Sequence, residues 1–213
     1  MNRRTLGRFL TAALGLALLA SAPLVRAAAD EAPDALIKRV SNEVLDAIKS
    51  DKAIQSGEIS RVLTLVDTKV MPNVNFTRMT ASAVGRNWRQ ATPEQKARLQ
   101  DEFKTLLVRT YSGALSQVKD QTLNVKSLRA APGDNEVVVR TEVIGRGEPV
   151  QLDYRMEKTP GGWKIYDLNV LGVWLVETYR TQFAQEISAS GVDGLIASLA
   201  QRNKSGTAEK KSS

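Results

Sequence analysis

Hydrophobic positions along this chain follow three successive rhythms. Leu36, Ile37, Val40, Val44, Leu45 and Ile48 recur at steps of three and four after Pro33 and Asp34. That spacing predicts an amphipathic helix through about Ser50. Ile59, Val62, Leu63 and Val66 share one face of a second helix, closed by Pro72. Phe76, Met79, Ala83 and Val84 mark a third, from about Phe76 to Trp88. Thr92-Pro93-Glu94-Gln95 is a helix start: Thr92 caps, Pro93 fits the first turn and Gln95 completes a capping box. The helix that follows runs to about Val118, with Leu99, Phe103, Leu106, Leu107, Tyr111 and Val118 on its apolar stripe.

The period then drops to two. Leu123 and Val125 alternate with Asn124 and Lys126. After the turn cluster Pro132 to Asn135, the residues Val137, Val139, Thr141 and Val143 form one face of a strand. Val150, Leu152, Tyr154 and Met156 alternate with Gln151, Asp153, Arg155 and Glu157 in the next. Thr159 to Gly162 turns the chain again, and Trp163, Ile165 and Leu168 lie in a last strand. Short turns between such segments predict an antiparallel meander with one solvated face. From Gly172 the helical period returns through Val173, Val176, Tyr179, Phe183 and Ile187. Gly191 to Gly194 breaks it, and Leu195, Ile196 and Leu199 make a short closing helix. The expected fold is therefore α+β, with helices gathered on one face of a curved, mainly antiparallel sheet of about four strands.

The two ends change the picture. Arg3, Arg4 and Arg8 precede an uncharged apolar run, Phe9 to Ala20, and Ala27-Ala28-Ala29 follows. That order is a secretory signal peptide over residues 1–29, with cleavage near Ala27 to Ala29, so the expected location is the periplasm. The run is shorter than the roughly 20 residues a spanning helix needs. Cleavage after Ala29 leaves 184 of the 213 residues. The lost segment holds four Arg and no acid, so the net charge falls from +7 to +3. A charge that small is a poor argument for nucleic acid. Residues 30–202 read as a single domain, and 203–213, all polar or small, as a disordered tail.

There is no Cys, so no disulfide holds the fold, and no His, which removes the commonest general base and metal ligand. No phosphate-cradling loop is present; Gly145-Arg146-Gly147 lies in a turn. The composition argues against an enzyme, a metal site and a cofactor. An enzymatic alternative would pair Asp153 or Asp167 with Tyr154 or Tyr166, but Asp153 falls on the polar face of its strand.

Several stretches together resemble the MlaC family, also called toluene-tolerance auxiliary proteins. They are VNFTRM (74–79), GRNW (85–88), TPEQ (92–95), FKTLLVRTY (103–111), GWKIYD (162–167), GVWLVETYRTQF (172–183) and GVDGL (191–195). Two positions depart from the family pattern: Asn75, where Asp is more frequent, and Trp174, where a small residue is usual. The resemblance implies a fold like nuclear transport factor 2. It also implies a periplasmic phospholipid carrier that keeps outer-membrane lipid asymmetry, with phospholipid as bound ligand. Its expected partners are an inner-membrane ABC lipid transporter with a membrane-anchored substrate-binding subunit, and an outer-membrane lipoprotein–porin complex. Nothing requires more than a monomer.

On that reading the lipid-contacting residues are Phe103, Leu107, Tyr111, Val139, Leu152, Tyr154, Met156, Val173, Leu175, Val176 and Tyr179. Arg180 and Arg140 are the candidates for headgroup or partner contact. A rival without lipid is a periplasmic protein-binding adaptor whose core is filled, since apolar faces normally close-pack.

Overall fold

The computed structural model describes residues 31–208 except 129, 130 and 132. The signal peptide read over 1–29 and the tail beyond Ala208 lie outside the described residues. Helices come first: α1 (Pro33–Ser50), the single turn α2 (Lys52–Gln55), α3 (Ile59–Leu65), α4 (Phe76–Val84) and α5 (Pro93–Leu115). A π turn (Val66–Val70) and a 3-10 turn (Met71–Asn73) join α3 to α4, and a 3-10 segment (Gly85–Arg89) follows α4. Thr92 starts α5 as expected: its hydroxyl accepts from Gln95 N, and Gln95 Oε1 accepts from Thr92 N. Asn75 caps α4 through Arg78 N at 3.0 Å and donates to Glu157 at 2.7 Å. An Asp at position 75 would cap equally well but would face Glu157 with a second negative charge. The amide departure therefore suits its neighbour.

Six strands follow: β1 (Thr122–Val125), β2 (Glu136–Val139), β3 (Thr141–Ile144), β4 (Val150–Thr159), β5 (Gly162–Val170) and β6 (Val173–Trp174). Every ladder is antiparallel, in the order β1-β3-β4-β5-β6, with β2 also on β4. The α+β class stands, with more strands than the four expected. The strand expected across Val137 to Val143 breaks at Arg140, because the Asp153 carboxylate accepts the Thr141 N–H at 3.2 Å. β2 therefore pairs with the second half of β4, whereas β3 pairs with its start and with β1. Asp153 is not the solvated residue that the alternation implied; it is 3% exposed and also accepts from Gln151.

The last helix, α6 (Leu175–Ala208), turns at Gly191, where φ is 72° and ψ −176°. It also continues through residues expected to be tail. Asn203 is buried and donates to the Glu102 backbone and carboxylate, at 3.0 and 2.7 Å. That anchor to α5 carries the helix beyond residue 202.

The interior forms three apolar clusters. One joins α4, α5 and α6; a second joins α1 to β2, β4 and β5; a third joins α1, α2, α3 and α5. The helices α1, α4 and α6 rest directly on strands. The helix α5 instead makes its extensive contacts with α6, α3 and α4 rather than with strands.

Candidate functional site

Several apolar residues of α5, the sheet and α6 remain only partly covered. Leu107 and Tyr111 of α5 are only half-buried, and so are Leu168 and Val170 of β5, Val176 of α6, Leu152 of β4, in register with Val170, and Leu123 of β1. Large apolar side chains at the centre of a close-packed domain are normally fully covered. Their partial exposure makes the region between α5 and the sheet the candidate apolar cleft.

Fully packed residues wall the cleft from behind. Phe103 is 0% exposed, with ring centroids 4.9 Å from Tyr179, 5.2 Å from Phe183 and 5.8 Å from Phe76. Opposite it, Val139 lies in register with Tyr154, and all of Val139, Tyr154 and Met156 are buried against α1. Burial pushes the Tyr154 phenol up to about 12, beside the Ser41 and Thr141 hydroxyls. Burial also raises Tyr111 and Tyr179, so all three rings stay neutral at ordinary pH.

The eleven expected lipid contacts therefore separate by burial. Leu107, Tyr111, Leu152 and Val176 border the cleft. Phe103, Val139, Tyr154, Met156, Leu175 and Tyr179 are buried in the clusters behind it. Val173 is 51% exposed beside Leu171, which is 66% exposed at the turn between β5 and β6. Leu123, Leu168 and Val170 also border the cleft but were not among the expected contacts; their strand alternation was the available signal.

Arg180 is exposed on α6, its Nε 3.7 Å from where a Cβ on Gly85 would sit. Arg140 is exposed at the β2–β3 break. It edges a surface depression of about 340 Å³ shared with Ser127, Glu136, Val138, Arg155 and Tyr166. Another depression, of about 390 Å³, is bordered by Val74, Phe76, Ala97, Gln100 and Lys104. Neither contains any of the eleven expected apolar contacts.

The sheet face turned away from Tyr154 is polar and cross-linked. Asp167, 1% exposed, accepts from Arg155 at 2.9 Å, from Leu168 N at 2.8 Å and from Val176 N at 3.0 Å. It thereby caps the start of α6 from a neighbouring strand. Burial raises its pKa, against the opposing pull of those donors. The Arg155 guanidinium also stacks on Trp174, 3.8 Å from the ring centroid. The unusual Trp at 174 thus lies on this outer face and leaves the cleft unobstructed. Asp153 and Asp167 both serve as acceptors for backbone N–H groups, a structural use that leaves neither presented to a substrate. Among the described residues no group of acidic side chains is placed to hold a metal ion.

Comparison with known proteins puts this arrangement in context. The family model described as MlaC protein matches residues 38–201. The toluene tolerance protein ttg2D of Pseudomonas putida is 27% identical over 179 residues, covering 84% of this chain and 83% of that protein. The intermembrane phospholipid transport system binding protein MlaC of Haemophilus influenzae is 22% identical, over 82% of this chain and 84% of that one. A phospholipid-binding protein from Ralstonia solanacearum, solved in complex with a phospholipid, is 50% identical and superposes with a TM-score of 0.79. It covers 82% of this chain and 98% of its own.

Proposed function

The chain belongs to the MlaC family, and from that premise we propose that it is a periplasmic phospholipid carrier whose acyl-chain site is the cleft between α5 and the sheet. The observation that carries this reading is the partly exposed apolar set on β4, β5, α6 and α5, a helix whose extensive contacts are with other helices. The lipid-bound relative supports the ligand class. Leu107, Tyr111, Leu152 and Val176 touch the chains; the buried residues behind them hold the walls apart. The protein has no catalytic role and needs no cofactor. Its amino-terminal segment exports it. Among the described residues no helix is long and apolar enough to cross a membrane.

Energetics dictate how such a carrier works. Each buried methylene is worth about 0.8 kcal/mol, so two acyl chains of about 15 methylenes give on the order of 20 kcal/mol before ordering costs. Release into bulk water would be very slow. The protein therefore collects and delivers lipid while docked, between an inner-membrane ABC lipid transporter and an outer-membrane lipoprotein–porin complex.

An over-packing probe tests the cleft. Leu107→Trp adds bulk where the core is open, so the variant folds with stability within about 0.5 kcal/mol of the parent. Its uptake of a fluorescent phospholipid from liposomes falls at least tenfold. In a filled core the same change would cost about 1–3 kcal/mol. That destabilisation, with uptake absent from the parent protein as well, would favour the adaptor.

A further inference from the structure

From Thr68 to Pro93 the chain has no acidic residue and four basic ones. Two of these are paired: Lys69 with Glu43 at 3.5 Å, and Arg78 with Glu136 and Glu157. The other two, Arg86 and Arg89, are exposed on the 3-10 segment after α4, and α6 brings Arg180 alongside. Among the described residues no carboxylate comes within ion-pair distance of any of the three. Among those residues Arg98, Arg109 and Arg140 also lack one, whereas Arg39, Arg61, Arg78, Arg146, Arg155 and Arg202 have carboxylate partners; what sets Arg86, Arg89 and Arg180 apart is that they lie together.

Local geometry brings Arg180 to the segment that carries Arg86 and Arg89. Gly85 has φ 68°, a left-handed conformation that lets the chain leave α4 sharply, and its missing side chain leaves room for Arg180. Trp88 sits half-buried between Arg86 and Arg89, with Lys96 Nζ 5.7 Å from its ring centroid. Arg180 is one helical turn beyond Val176, which borders the cleft; Leu171 and Val173 project into solvent just before that helix begins. Arg180 thus links the basic segment to the helix that borders the candidate cleft.

We infer that Arg86, Arg89 and Arg180 form a docking surface for an acidic patch on a partner protein. Docking there seats the opening of the cleft against that partner; this refinement rests on the carrier reading. Arg and Trp are the side chains that most often dominate protein interfaces, and guanidinium groups engage carboxylates in paired hydrogen bonds. Leu171 and Val173 offer too little apolar surface to hold a bilayer, but they suit the rim of a protein contact. Unpaired charges of this kind set association rate and partner choice, and salt weakens them.

The test places a photo-crosslinking amino acid at Gln90, exposed beside Arg89, in the full chain expressed in cells of the parent organism. The expected adduct is a peptide rich in Asp and Glu from one protein. Arg86→Glu with Arg180→Glu lowers its yield at least tenfold, and Arg86→Gln with Arg180→Gln lowers it less. Lys in place of the acids in that peptide restores the adduct with the Glu variant. All variants keep their co-purifying phospholipid, which also shows that they fold. An adduct to lipid, a peptide without acidic excess, no adduct, or a yield unmoved by charge reversal would overturn the docking surface. Lipid loss confined to the variants would overturn it too, by assigning these arginines to the lipid site. A parent protein without lipid would remove the carrier reading and leave docking to be judged on the crosslink alone.

Discussion

Tyr154 ties α1 and the sheet to one titration. Its ring is buried between α1 and the sheet, and its phenol is pushed up to about 12, whereas in the unfolded chain it ionises near 10. The folded state therefore holds this proton more tightly. The associated stability is complete below pH 10 and is lost as pH rises through 12, a loss of about 2–3 kcal/mol. Tyr154→Phe should flatten that part of a denaturation profile measured between pH 9 and 12. A residual slope remains, because Tyr111, Tyr166 and Tyr179 are also raised by burial. An unchanged profile in the variant would show that Tyr154 does not set the alkaline limit. Residue identity made the apolar site partly legible: Phe103, Leu107 and Tyr111 stand on one readable stripe. Burial separates them, since Phe103 is enclosed by three other rings while Leu107 and Tyr111 border the cleft. That difference depends on how far α5 stands from the sheet, which no local pattern encodes.

Elements whose boundaries come from local chemistry were the legible ones. Pro33, the Thr92–Gln95 box and Gly191 sit where α1 and α5 begin and α6 bends. Boundaries made by distant side chains were not. The β2–β3 break needs the Asp153 carboxylate, twelve residues away, and the carboxyl end of α6 is held by Asn203 on Glu102. Polar residues of the outer sheet face read as solvated because alternation carries no sign of the backbone donors that bury Asp153 and Asp167. Gly191 supplies a test at this scale. Its φ of 72° with ψ −176° suits only glycine, and a Cβ there would meet nothing within 4 Å. Gly191→Ala should therefore destabilise by about 1–3 kcal/mol through backbone strain alone. Chemical denaturation measures it, and an unchanged midpoint would mean that the bend in α6 relaxes freely.

Across the whole molecule, three clusters take the place of one closed core. The polar outer face of the sheet, clamped by Arg155, Asp167 and Trp174, fixes the strands and the start of α6. The helix bundle of α4, α5 and α6 has its own aromatic centre at Phe103. Because α4 and α6 hold that bundle on β5, the region between α5 and the sheet can stay apolar and open without collapse, which a lipid carrier requires. Native mass spectrometry of the protein, followed by denaturing extraction, tests this most directly. A mass excess that resolves into one or two phospholipids is the predicted result. A bare protein mass that also fails to gain lipid from liposomes would contradict the account and point to a filled core.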